Sequence, residues 1–94
     1  MKIKGFIWLK NIVEKIENKH NVYKEEVKQV FKNYPKFRYI EKGKIRNENL
    51  YAALGRTDAG RYLTVFFIYK KTKEALIITA RDMNKKERRN YEKI

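Results

Sequence analysis

The chain has 94 residues, no cysteine and one histidine, which suits one domain with a modest core and excludes disulfides, thiolate catalysis and cysteine-based zinc sites. Its net charge of +13 is spread over both halves, +7 in residues 1–49 and +6 in residues 50–94, and favours a polyanion or an acidic protein partner; the alternative explanation is the high lysine content of proteins from an AT-rich or heat-adapted genome. No apolar run approaches the roughly 18 residues that span a membrane, and no signal-peptide core begins the chain, so we expect a soluble, cytoplasmic protein without metal or cofactor.

The first twenty residues predict an extended segment followed by a helix. Met1 to Trp8 alternates weakly, which indicates a short first strand or an extended lead-in. Trp8 is predicted to anchor the core, in preference to the alternative of a platform on which an RNA base stacks. Asn11 followed three residues later by Glu14 is a helix-start pattern. We therefore predict a first helix from Asn11 to Lys19.

A second helix is predicted from Lys24 to Asn33. Acidic residues occupy its first turn, where the helix dipole favours them, and Pro35 prevents its continuation. An apolar stripe at helical spacing favours packing against a core over a ligand groove. The stripe consists of Tyr23, Val27, Val30, Phe31 and Tyr34.

The segment after Pro35 predicts a strand from Phe37 to Lys42. Residues 43–49 are polar apart from Ile45, and they form either a hairpin loop or a continuation of the strand. The basic side chains of this segment are either a solvated tip or an arm that contacts phosphate, and the sequence does not choose between these two alternatives. They are Lys42, Lys44 and Arg46.

Residues 50–82 read as a three-stranded antiparallel meander. Strand-like runs end at Arg56, begin again at Arg61 and end at Arg81, and turn signals separate them at residues 57–60 and 70–74. The middle run is apolar on both parities, so it should be the central strand, covered on both sides.

Antiparallel pairing places the ends of these runs together at one edge of the sheet. Arg56, Arg61 and Arg81 should therefore lie along one rim, where planar guanidinium groups match phosphate oxygens. The alternative is that these arginines are solvated or pair with Asp58 and Asp82.

The last element is a short basic helix. Asn84 and Glu87 repeat the helix-start pattern, so the helix begins next to the arginine rim, and Arg88 and Arg89 either join the rim or flank it. The predicted architecture is α+β: a first strand, two N-terminal helices, a four-stranded antiparallel sheet and a short C-terminal helix in one domain, residues 1–94.

Several of these motifs resemble the BrnT family of bacterial toxins, over nearly the whole chain. The N-terminal half carries Trp8, then Lys19-His20, Val22 and the helix start Glu25-Glu26-Val27. The more specific C-terminal half carries Gly55-Arg56, Gly60-Arg61-Tyr62-Leu63, Ile78-Thr79-Ala80-Arg81-Asp82-Met83, Glu87-Arg88-Arg89 and Tyr91-Glu92.

The resemblance implies a RelE-like fold and a type II toxin that cleaves RNA. It also implies a partner, a BrnA-like antitoxin with a ribbon-helix-helix DNA-binding domain. Family members form toxin–antitoxin assemblies that repress their own operon.

A ribonuclease that uses no metal needs a base for the 2′-hydroxyl, an acid for the leaving 5′-oxygen and cations for the charge on the phosphorane. We predict Arg61 and Arg81 as the cations that hold the phosphate and the transition state. For proton transfer the candidates are Glu87, which otherwise caps the last helix, His20, which otherwise packs in the structure, and Tyr91, which otherwise belongs to the core. The predicted RNA-backbone contacts are Arg56, Arg88, Arg89 and Lys85.

Two other functions fit the same sequence. The lack of a clear acid and base pair is compatible with a non-catalytic RNA-binding or regulatory module. The basic surface is also compatible with a docking face for an acidic antitoxin, and this role and RNA cleavage do not exclude each other.

Overall fold

The computed structural model describes residues 1–93. Three helices and five strands follow one another along the chain, and the strands form a single mixed sheet in the order β1-β5-β4-β3-β2. The elements are β1 (Gly5–Ile7), α1 (Lys10–His20), α2 (Lys24–Lys32), β2 (Lys36–Ile45), β3 (Glu48–Arg56), β4 (Tyr62–Tyr69), β5 (Glu74–Asp82) and α3 (Lys85–Glu92).

The predicted four-stranded antiparallel sheet was wrong. The first strand is not separate from the sheet: β1 pairs in parallel with β5, from Gly5 opposite Glu74 to Ile7 opposite Leu76. Pairing with β1 fills the hydrogen-bonding edge that β5 would otherwise expose. It also brings Phe6 against Phe31 of α2, with ring centres 5.1 Å apart.

The antiparallel part of the sheet follows the prediction. β4 lies between β3 and β5, which confirms it as the central strand of the meander. The polar segment after Lys42 continues β2 as far as Ile45, and β3 begins at Glu48, so the strand-continuation alternative holds for its first part.

The main core lies between the sheet and the first two helices. Alternate residues of β4, namely Leu63, Val65 and Phe67, are fully buried against these helices. α2 contributes Val27 and Val30, and α1 contributes Ile16, again fully buried. Trp8 packs at the margin of this cluster, as predicted for a core anchor.

The opposite residues of the sheet form its second face, which α3 covers at one end. There the hydroxyl of Thr64 on β4 donates a hydrogen bond to the Glu87 carboxylate on α3 at 3.1 Å. The rings of Tyr62 and Tyr91 also pack edge to face. Asn84 caps this helix as predicted: its side chain accepts from the Glu87 N–H, and the Glu87 side chain accepts from the Asn84 N–H.

Local details of the two N-terminal helices differ from the prediction. α1 begins one residue before Asn11, its N-cap is Leu9, and no side chain caps it, so the proposed Asn11 cap was wrong. In the stripe of α2, Tyr34 lies beyond the helix and is 93% exposed, because the helix already ends at Lys32. Among residues 1–93, no helix is long and apolar enough to cross a membrane.

Candidate functional site

The three arginines of the predicted rim lie at one end of the sheet, but each has different neighbours. Arg56 at the end of β3 pairs with Tyr62, and Arg81 near the end of β5 pairs with Thr64, so both lie where β4 begins, next to Arg61. This confirms that the three arginines share one end of the sheet. Their side chains, however, have different partners.

Arg61 uses all five of its N–H donors within the protein. Its Nε donates to Asp82 Oδ1 at 2.7 Å, and its Nη2 donates to Asp82 Oδ2 at 3.3 Å and to the His20 carbonyl at 3.0 Å. Its Nη1 donates to the Asn21 carbonyl at 2.7 Å and to the Glu26 carboxylate at 3.2 Å. One guanidinium thus joins the end of α1, the start of α2 and the end of β5.

The hydrogen bonds of Arg61 also shift the pKa values of Arg61 and Asp82 so that both groups stay charged. Hydrogen bonding to Asp82 raises the pKa of Arg61, burial opposes this, and the bond to Glu26 adds to the increase. The Arg61 hydrogen bond lowers the pKa of Asp82 despite partial burial, and the nearby His20 charge acts in the same direction. Since the donors are all engaged, a phosphate would reach Arg61 only by displacing one of these partners.

Arg81 forms a bidentate ion pair with Glu87. Nη1 to Oε1 measures 2.7 Å and Nη2 to Oε2 measures 2.9 Å. Arg81 Nη1 also donates to the Asp82 carbonyl at 3.1 Å, and the guanidinium lies 5.3 Å from the centre of the Phe66 ring. The Arg81 side chain nevertheless remains 32% exposed, so an anion can approach it from solvent.

Glu87 is 8% exposed, and both of its carboxylate oxygens accept hydrogen bonds. Burial raises its pKa, but the hydrogen bonds from Arg81, the Asn84 N–H and Thr64 more than offset burial, and the net pKa is lowered. Glu87 is therefore ionised at neutral pH. Its geometry suits holding Arg81 in one orientation better than removing a proton from a substrate.

Two further arginines stack on one aromatic ring. The Arg88 guanidinium lies 3.7 Å from the centre of the Tyr62 ring, and that of Arg56 lies 5.0 Å from the same centre. A guanidinium held by its face keeps N–H groups at its edge for an anion. Lys36 lies beside the neighbouring Tyr91 ring, at 4.8 Å, and also donates to the Tyr91 carbonyl.

Shallow depressions surround this stacked group. Each arginine of the stack lines a different depression, and only the depression of Arg88 has an excess of basic residues. The depression of Arg88 is also lined by Met83, Asn84, Lys85, Arg89 and Glu92. The depression of Arg56 is also lined by Asn33, Thr57, Asp58, Gly60 and Tyr91.

The structure brings the predicted residues together in part. Lys85, Arg88 and Arg89 share one depression with the N-terminus of α3, and Arg81 is bonded to Glu87 of the same helix. His20 lies at the end of α1, where its backbone carbonyl accepts from Arg61, and no hydrogen bond of its ring is found among residues 1–93.

Sequence reasoning missed three contributors. Glu26 was assigned only to the helix dipole, Tyr62 was assigned no function, and Thr64 was not considered. Tyr62 had a usable signal, because it is an aromatic residue next to Arg61 at the rim. Glu26 had none, since it lies 35 residues away from Arg61 in the chain.

The two acidic residues proposed as partners of the rim behave differently. Asp82 pairs with Arg61, as the alternative reading of the rim predicted. Asp58 instead accepts from Lys32 at 3.1 Å and from Asn33 at 3.0 Å.

A comparison with protein families matches residues 8–87 of this chain to the ribonuclease toxin BrnT of the type II toxin–antitoxin system. The chain belongs to the BrnT family. BrnT proteins are ribonuclease toxins, which implies RNA as substrate and an antitoxin as partner. The match includes Arg81 and Glu87 and ends immediately before Arg88. No curated protein matches the chain.

The saturated Arg61 generates a stability prediction. Lysine keeps the charge of Arg61 but has three donors in place of five, so Arg61→Lys should leave carbonyls of the α1–α2 turn without a donor. We expect the free energy of unfolding to fall by about 1–3 kcal/mol in urea denaturation at neutral pH. Arg38→Lys, at an exposed position of β2, is the matched control and should change stability little. Equal stability of the two variants would contradict the structural role of Arg61.

The Arg81–Glu87 pair generates a pH prediction. Because folding lowers the pKa of Glu87 below its ordinary value of 4.5, the carboxylate stabilises the fold above that pH. This contribution disappears as the pH falls through the lowered value. Glu87→Gln should therefore destabilise the protein most at neutral pH and less at about pH 3.

Urea denaturation of the wild type and Glu87→Gln at both pH values measures this difference. Glu41→Gln, at an exposed position, is the control, and its effect on the free energy of unfolding should be the same at both pH values. A stability loss in Glu87→Gln that is the same at both pH values would show that its charge does not stabilise the fold.

Proposed function

We propose that this protein is an endoribonuclease, the toxin of a type II pair, that cleaves RNA without a metal ion and is neutralised by a cognate antitoxin. The observation that carries the proposal is the exposed edge of Arg81, held by Glu87 beside the basic N-terminal half of α3, in a chain of the BrnT family. The antitoxin is proposed to be of the BrnA type with a ribbon-helix-helix domain, and the pair would act in the cytoplasm, where RNA is available.

In this proposal the arginines divide their tasks. Arg81 faces the phosphate that reacts, and its bond to Glu87 fixes its orientation before RNA binds, so little reorganisation is needed as charge builds on the phosphorane oxygens. Arg61 positions the site through Asp82, which is adjacent to Arg81 in the chain. The RNA backbone is bound by Arg56, Arg88, Arg89 and Lys85.

The reaction proposed is attack of a ribose 2′-hydroxyl on the adjacent phosphorus. The P–O5′ bond breaks, and the products are a 2′,3′-cyclic phosphate and a 5′-hydroxyl. His20 is the proposed proton-transfer group: its imidazole accepts the proton of the 2′-hydroxyl and returns a proton to the 5′-oxygen as the P–O5′ bond breaks, because histidine is the side chain whose ordinary pKa lies nearest neutrality.

A second function is favoured by one specific observation. Every oxygen of Glu87 and every donor of Arg61 is engaged within the protein, as expected for a structural framework without its own acid and base. The alternative is therefore a non-catalytic RNA-binding or regulatory module of the same fold.

An RNA cleavage assay with purified protein in excess EDTA separates the two functions. We expect the wild type to yield products with 5′-hydroxyl ends, and Arg81→Ala to slow cleavage by about 100-fold. Arg88→Ala, at an exposed position, should weaken RNA binding and reduce the slope of log affinity against log salt concentration by about 1.

The control for both variants is Lys15→Ala, an exposed lysine of α1, which should cleave and bind as the wild type does. Circular dichroism checks that each variant is folded. If the wild type binds RNA in a salt-dependent way but leaves it intact, the ribonuclease proposal fails and the binding module replaces it.

A further inference from the structure

The second face of the sheet has an apolar groove at the end that α3 does not reach. Leu50, Ile68 and Leu76 lie side by side on β3, β4 and β5, since Leu50 pairs with Ile68 and Ile68 pairs with Leu76. Ile78 extends this floor along β5, and all four side chains are half-buried. The groove has a volume of about 420 Å³.

The β2–β3 hairpin forms one wall of the groove and has a defined shape. The pairing of β2 with β3 shifts register twice near the hairpin, so the two strands bend together. Gly43 makes this bend possible, because a Cβ atom there would lie 1.8 Å from the Glu48 carbonyl oxygen. The bend presents Ile45, which is 54% exposed, beside the floor.

Glu48, at the start of β3, joins the hairpin to the turn between β4 and β5 through hydrogen bonds. Glu48 accepts from Lys70 Nζ at 2.7 Å and from the Lys71 N–H at 3.1 Å, and its side chain is 9% exposed. The hydrogen bond from Lys70 lowers the pKa of Glu48 below its ordinary value, so this fastening is ionic at neutral pH. These two hydrogen bonds hold the hairpin wall against the β4–β5 turn within the chain itself.

The rim of the groove carries more positive than negative charge. Lys42 and Lys44 are exposed on the hairpin wall, and neither forms an ion pair within the described residues. One exposed carboxylate, Glu41, lies beside them, and Lys70 is paired with Glu48. An occupant that suits this site has aliphatic side chains for the floor and carboxylates for the rim. RNA would satisfy the lysines but not the floor, because no aromatic ring lines the groove for a base to stack on.

We infer that this groove binds an acidic segment of the antitoxin that carries leucine-, isoleucine- or valine-type side chains. The inference rests on the proposed toxin function for its partner, and the net charge of +13 favours an acidic one. Ile68 lies four residues along β4 from Thr64, about 13 Å at the usual rise of a strand, so the groove is separate from the Arg81 site. The antitoxin is therefore anchored beside the arginines and not only on them.

Two groove variants and one control test the inference. Ile68→Glu places a carboxylate on the floor, and the double variant Lys42→Glu, Lys44→Glu reverses the charge of the rim without touching the core. Tyr34→Glu makes the same kind of change at an exposed aromatic residue that is not part of the groove. Each toxin and the proposed cognate antitoxin are purified separately, their affinity is measured by calorimetry, and RNA cleavage by the free toxin is measured alongside.

We expect both groove variants to bind the antitoxin at least about ten-fold more weakly than the wild type, with RNA cleavage unchanged and Tyr34→Glu normal in both assays. If the double variant Lys42→Glu, Lys44→Glu is folded and binds the antitoxin as tightly as the wild type does, the inference is overturned. A loss of RNA binding with normal antitoxin affinity would also overturn it and make the groove an RNA surface. If the wild type cleaves no RNA yet the groove variants lose the antitoxin, the ribonuclease proposal fails and the groove inference stands.

Discussion

The hydrogen bonds of Arg61 are the constraint on which the functional end of the molecule depends. They join two backbone carbonyls at the α1–α2 turn, the Glu26 carboxylate and the Asp82 carboxylate. Because Asp82 follows Arg81 directly, the bond between Asp82 and Arg61 also fixes the backbone position from which the Arg81 side chain reaches Glu87. Arg61 thus holds together the elements that surround the proposed site.

The second face of the sheet has two ends with different chemistry. At one end α3 and the stacked ring of Tyr62 collect guanidinium groups whose edges face solvent. At the other end the floor is aliphatic and lysines stand only on the rim. A strongly basic protein needs such a division if RNA and an acidic protein are to bind different parts of it, since overall charge attracts both.

Much of this fold could be predicted from local patterns. The turns, the central strand and the Asn84 cap depend on residues close together in the chain, and antiparallel pairing then places the arginines at one sheet end. The parallel pairing of β1 with β5 could not be predicted, because three residues carry no information about a partner nearly seventy residues away. Nor could the saturation of Arg61, whose carbonyl partners at His20 and Asn21 are independent of side-chain type.

The most direct test of this account is the fate of cells that produce the protein without its antitoxin. Growth and total RNA are followed after induced expression of the wild type and of Arg81→Ala, with the folded state of each confirmed on purified protein. The account predicts arrested growth and degraded RNA with the wild type, and normal growth with intact RNA for a folded Arg81→Ala. Normal growth and intact RNA with the wild type, or equal RNA degradation by both proteins, would contradict it.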